Sequence, residues 1–141
     1  MPPSRFAPEI NRLRAALRGH RGPDLLTVVS HEVEQLPVAA LVADNSQRYV
    51  AANAAARELT GYSQSELAAL TVADLTPVPR AADGQQLWEE FIGKGGQYGA
   101  YDLQPKRGSA KHVRYWAFAS VAPGLHVSLL VPEDAEAGAQ V

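Results

Sequence analysis

The chain has 141 residues, 46% of them apolar and 20% charged, with a net charge of −2 and no cysteine. That is one ordinary domain able to bury a core without cross-links, and not the composition of a disordered chain. Near-neutral charge argues against generic nucleic-acid binding, and the lack of cysteine excludes thiol nucleophiles, disulfides and cysteine–metal sites.

The N-terminus, MPPSRFAPEINRLR, has no apolar signal-type region, and no run approaches the ~18 apolar residues of a membrane span. The expected location is therefore cytoplasmic, with no membrane partner. Residues 1–22 carry five arginines against Glu9, and the last ten residues carry three acids and no base. Both ends read as solvated surface; a basic contact surface for a partner is the alternative.

Pro8 suits the first turn of a helix, where its missing N–H costs nothing. Phe6, Ile10, Leu13 and Leu17 follow one another at helical spacing, a narrow apolar stripe that Gly19 and Gly22 end. A second segment, DLLTVVSHEVEQL, fits a helix through Leu25 or Leu26, Val29, Val33 and Leu36, although Thr27, Val28 and Val29 are β-branched and oppose it. Residues 1–35 thus form a helical flanking segment.

The most informative stretch is Leu41 to Ser63. Leu41–Ala43 is a short apolar strand, and Asp44, Asn45 and Ser46 are turn residues. Arg48–Ala52 is a second strand. Asn53 is a good N-cap for AAARELT, and Gly61 fits the left-handed residue just past its end. Ser63 and Glu66 make a capping box for SQSELAAL. Next comes TVADLTPVPR, a short turn or helix running into a Pro-rich loop. Asp83 is placed as the N-cap of AADGQQLWEEFIGKGG, in which Leu87 pairs with Phe91 and Trp88 with Ile92.

Three strands close the chain: QYGAYDLQPK, AKHVRYWAFASVA and LHVSLLVP. KRGS turns between the first two, and Ala122-Pro123-Gly124-Leu125 fits a type II turn between the last two. In the longest strand Val113, Tyr115, Ala117 and Ala119 face one way, and His112, Arg114, Trp116 and Phe118 the other. Trp116 and Phe118 opposite an apolar face imply that both sides of the sheet are covered. The central helices would take one side; the N-terminal segment, or a second copy of it, would take the other. The order, without a βαβ rhythm, gives an α+β fold on an antiparallel sheet.

Taken together, LPVAALVADNSQRYVAANAAARELTGYSQSELAALTVADLTP, the Trp-containing helix and GQYGAYDLQPKRGSAKHVRYWAFASVAPGLHVSLLV resemble a PAS domain. The resemblance covers residues 36–133, with 134–141 left as a flexible acidic tail. It implies a five-stranded antiparallel sheet with short helices on one face, a small pocket, and an N-terminal flanking helix that dimerises and passes signals. The implied function is sensing and signal transduction through a small ligand or a partner, without catalysis. The alternative is a ligand-free interaction module working by homodimerisation. The expected pocket lining is Asn53, Trp88, Phe91, Tyr101, Leu103 and Tyr115. The expected dimer interface is Phe6, Ile10, Leu13 and Leu17 with Trp116 and Phe118. No output domain fits in the remaining residues, so signalling would be in trans unless an effector lies outside the sequence.

The ligand is left open. Photosensor branches that attach a chromophore to cysteine are excluded. Haem-binding members place a histidine on the long helix, which here has none; His112 and His126 on strands are poor substitutes. Non-covalent flavin needs only aromatic walls and a few polar groups, which Trp88 and Trp116 would help provide. Many alanines around Leu41–Ala56 leave thin walls, so either larger side chains or a ligand fill that space. Ser30-His31-Glu32 is similar to the phosphoacceptor box of sensor kinases, but the domains that box needs do not fit in the chain. A cone-shaped isomerase reading would need a buried acid, for which Asp102 is the only candidate on the last three strands. No metal-ligand spacing stands out among the four histidines.

Overall fold

The structure is a computed structural model that describes residues 5–75 and 81–133, with backbone alone at 81–83. The element order is α1 (Ala7–Leu17), α2 (Gly22–Val33), β1 (Ala39–Asp44), β2 (Tyr49–Ala52), α3 (Ala54–Thr60), α4 (Gln64–Leu67), α5 (Val72–Leu75), α6 (Ala81–Lys94), β3 (Gly96–Leu103), β4 (Lys111–Ala122) and β5 (Leu125–Pro132). The expected acidic tail 134–141 and Pro-rich loop lie outside the described residues. The five strands form one sheet in the order β2-β1-β5-β4-β3. Every neighbouring pair is antiparallel.

Period-2 alternation along the strands sends their side chains to two separate cores. On one face, Ala40, Val42, Ala51, Trp116, Phe118, Val127 and Leu129 pack with Ile10, Leu13 and Leu17 of α1 and Leu25, Val29 and Val33 of α2. On the other, Ala39, Leu41, Tyr49, Val113 and Leu130 pack with Leu59, Leu67 and Leu75 of the short helices. The interior strand β1 is buried along five of its six residues because both of its faces are covered.

The N-terminal stripe therefore lies inside its own chain. Ile10, Leu13 and Leu17 are each 3% exposed or less. Phe6 sits edge-on to Trp116 with ring centroids 5.4 Å apart, and the Arg5 guanidinium lies over both rings. This corrects the assignment of Phe6, Ile10, Leu13, Leu17, Trp116 and Phe118 to a dimer surface. The periodicity required a buried face; the sheet of the same chain covers it. α2 forms despite its β-branched run, and the Thr27 hydroxyl bonds to the Pro23 carbonyl at 3.1 Å. Helix α6 begins two residues before Asp83, so Asp83 is a first-turn residue and not the N-cap.

The stretch from β1 to α4 has its expected order. Asn53 caps α3, Gly61 ends it at φ 78°, and Ser63 and Glu66 complete a reciprocal capping box. One irregularity was not expected. The register of β4 against β5 shifts between Phe118 and Ala122, and Ser120 takes a left-handed φ of 55°. This bulge ends the regular pairing beside His126.

Candidate functional site: an aromatic cavity against the sheet

The sheet face that carries α3–α6 is not filled along its whole length. A cavity of about 300 Å³ separates α6 from the sheet, at the low end of the roughly 300–1,000 Å³ typical of small-molecule sites. Its floor is the middle of the sheet: Leu41 and Ala43 of β1, Ala117 of β4 and Ser128 of β5. The small side chains leave the room: Ala117 pairs with Ser128, which pairs in turn with Leu41. Leu87, Trp88 and Phe91 of α6 form one wall, and Val72 and Ala73 of α5 another. Tyr49 enters from the edge strand β2, Tyr101 and Gln97 from the edge strand β3, and Tyr115 from β4.

Tyrosines dominate the polar side. The rings of Tyr101 and Tyr115 meet at 5.4 Å, and the Tyr115 hydroxyl accepts from Gln97 Nε2 at 2.6 Å. Tyr115 can lie across β3 because its partner there is Gly99. A Cβ at that position would come within 3.2 Å of the ring. Burial raises the Tyr49 hydroxyl well above the ordinary tyrosine pKa and raises Tyr101 also, with the neighbouring phenols adding to the effect. Both remain protonated donors at any physiological pH.

His126 closes the end of the cavity nearest the bulge. It is 4% exposed and packs edge-on against Trp88 and Phe91, with centroids 5.4 and 6.0 Å away. Its Nδ1 accepts from the Ser120 N–H at 2.8 Å, which assigns the proton to Nε2, the donor to Asn45 Oδ1 at 2.7 Å. Burial lowers its pKa, so the ring is neutral. With both nitrogens engaged, His126 does not fit the role of an iron ligand. His112 fits no better: it is exposed and bonds to Asp102 at 2.7 Å. Asp102 is thus an outer-surface acid and not the buried acid that an isomerase reading needs.

Of the expected pocket residues, Trp88, Phe91, Tyr101 and Tyr115 come together in the cavity wall, whereas Asn53 and Leu103 do not. Leu103 is fully buried among Leu75, Val113 and Leu130 as packing. Asn53 is a joint. Its Oδ1 accepts from Ala40 N at 2.9 Å and Ala56 N at 3.0 Å, and its Nδ2 donates to Val33 O at 3.0 Å and Val38 O at 2.8 Å. Every lone pair and proton of the amide is committed, tying α2, β1 and α3 together.

Tyr49, Gln97, His126 and Ser128 were not among the expected lining residues. Ser128 had a readable signal, a lone hydroxyl inside the apolar run LHVSLLV. Tyr49 had none, because its side of the sheet depends on a register shift in the β1–β2 pairing.

Among the described residues, no helix is long and apolar enough to cross a membrane. No curated protein sequence matches the chain. Among solved structures, the PAS domain of a two-component sensor histidine kinase superposes with a TM-score of 0.60 at 13% identity, covering 75% of this chain and 94% of that one. A PAS domain from Desulfitobacterium hafniense gives 0.59 at 19% identity, covering 71% and 96%. The LOV domain of a blue-light activated histidine kinase from Erythrobacter litoralis gives 0.56 at 18%, covering 70% and 97%. Identities this low speak to the fold alone. The family model described as the PAS fold matches residues 33–116 of the sequence itself. With that match over more than half its length, and with the five-stranded sheet and helices to go with it, the chain belongs to the PAS family.

Proposed function

We propose that the chain is a sensory module that holds a small molecule in the cavity between α6 and the sheet and passes its presence on without catalysing a reaction. The cavity carries this reading: a concave space with aromatic walls and a few convergent hydroxyls. The solved neighbours that are domains of sensor histidine kinases point the same way. Trp88, Phe91, Tyr101 and Tyr115 are the contact residues. The signal would leave through a homodimer or a partner in trans, in the cytoplasm. The alternative, a ligand-free interaction module, rested on the Phe6–Leu17 stripe, which this fold uses for its own core.

Native mass spectrometry of the purified chain, paired with thermal shift across a metabolite, haem and flavin panel, tests the proposal. A bound species or a saturable rise in Tm is the expected result. A bare mass with no shift across the panel refutes it. The absorption spectrum of the same sample separates coloured cofactors from colourless ligands.

A further inference from the structure

The cavity wall is rich in rings and hydroxyls but carries no full charge. Among the described residues that line it there is no Asp, Glu, Lys or Arg, and the His126 imidazole has both nitrogens committed. Among the described side chains, two carboxylates lie near enough to be felt: Asp74 by Tyr49, and Asp44 by His126. Both are outside the wall and turned to backbone donors, Asp74 to Thr71 N and Asp44 to Ser46 N and Arg48 N. An anion entering this space would lose its hydration, find no countercharge and sit in the field of two acids. A cation would need ring faces turned on one point. In the T-shaped pairs, however, the edge of one ring already lies against the face of the other: Trp88 with His126 at 88°, Tyr101 with Tyr115 at 61°.

The polar capacity left over is mainly that of hydroxyl groups. Gln97 is used by Tyr115, and Gln47 donates to Gln85 at 3.1 Å. The hydroxyls of Tyr49, Tyr101 and Ser128 have no hydrogen-bond partner among the described residues, and all three residues line the cavity. Each has an O–H free to donate to an acceptor on a ligand.

We infer that the cavity takes an uncharged aromatic molecule carrying a hydrogen-bond acceptor, such as a ring carbonyl, which the hydroxyls of Tyr49, Tyr101 and Ser128 orient. This rests on the small-molecule reading above and adds the ligand's charge and polarity to it.

Four bicyclic probes separate the terms when titrated into the full chain by isothermal calorimetry. Coumarin is neutral with an acceptor, and naphthalene is neutral without one. Coumarin-3-carboxylate adds a negative charge, and N-methylquinolinium carries a fixed positive one. Coumarin should bind, with the two ions at least about 100-fold weaker, the scale of burying an unpaired charge. Tyr101→Phe should weaken coumarin by roughly 3- to 10-fold, one hydrogen bond's worth, and leave naphthalene unchanged. Ser128→Ala gives an independent second reading, with circular dichroism checking that each variant folds. Either ion binding as tightly as coumarin overturns the inference while leaving a ligand cavity in place. Equal losses for coumarin and naphthalene in both variants overturn the role of the hydroxyls. If no probe binds, the ligand class is wrong; the small-molecule reading falls with it only when native mass spectrometry also finds the chain bare.

Discussion

Replacing Asn53 by alanine removes four hydrogen bonds at once from a residue only 2% exposed. Two of the groups left behind are donors, the N–H of Ala40 and of Ala56; two are acceptors, the carbonyls of Val33 and Val38. If Asn53 were only a helix cap, the loss would be about 1 kcal/mol, as for caps generally. A buried polar group left unpaired costs about 1–3 kcal/mol, and the space vacated by the amide admits some water. The expected loss is therefore about 3–5 kcal/mol, a large part of the ~5–15 kcal/mol that holds a domain together. Ser63→Ala is the internal standard. Ser63 is an exposed cap on a four-residue helix, and its removal should cost about 1 kcal/mol. Asn53→Asp keeps the acceptor but turns a second oxygen toward the Val33 and Val38 carbonyls, so it should fare no better than alanine near neutral pH. Equilibrium urea unfolding of the three variants gives the numbers. An Asn53→Ala loss equal to that of Ser63→Ala would refute the reasoning, because the joint between α2, β1 and α3 would then add nothing to the cap.

Three further outcomes follow from the geometry. Leu13→Glu should unfold the chain, since it puts an unpaired carboxylate into the core under the sheet at a cost of at least about 4 kcal/mol; a folded variant of lower mass by sedimentation would return the stripe to a dimer surface. The Glu66 carboxyl is held down to about 2, first by its hydrogen bond to the Lys106 ammonium and then by the Ser63 N–H. Its stabilising effect is present above its unfolded pKa, near ~4.3, and is lost as pH falls through about 2; a Glu66 side-chain NMR titration centred near the unfolded value would contradict the pairing. His126 has the same sense at higher pH but a different cause: burial lowers a base, and the unfolded chain takes up the proton first. Stability should fall as pH drops below its unfolded pKa, near ~6.5, and His126→Gln should lose part of that slope in urea melts read between pH 7 and 5.

Much of the fold was legible because its signals are local. The Asn53 and Ser63 caps, the left-handed Gly61 and the two-sided alternation along β4 each depend on a few neighbouring residues. The N-terminal stripe shows where that legibility stops. Helical spacing identifies Ile10, Leu13 and Leu17 as buried, but it carries no information on what buries them. The same limit applied to the cavity. Trp88, Phe91, Tyr101 and Tyr115 were found from residue type and strand parity. Asn53 was misplaced because a polar residue among alanines resembles a binding group until its four partners are known. Tyr49 and His126 depend on register and on a bulge, which arise from pairing between distant segments.

The sheet also works as a partition. Most buried apolar strand residues belong to one core or the other, and the cavity shares almost no side chain with the packed side that holds α1 and α2. Substitutions on its two faces should therefore behave as nearly independent choices. The cavity could be re-lined to accept a different guest without repacking the helical side, and an engineer could treat residues such as Ala43, Ala117 and Ser128 as a replaceable cassette. The bulge is the exception: there Arg14 of α1 reaches the Ala119 carbonyl at 3.3 Å while the next N–H holds His126 in the cavity wall. Changes near Ser120 are the ones that should not leave the other side untouched.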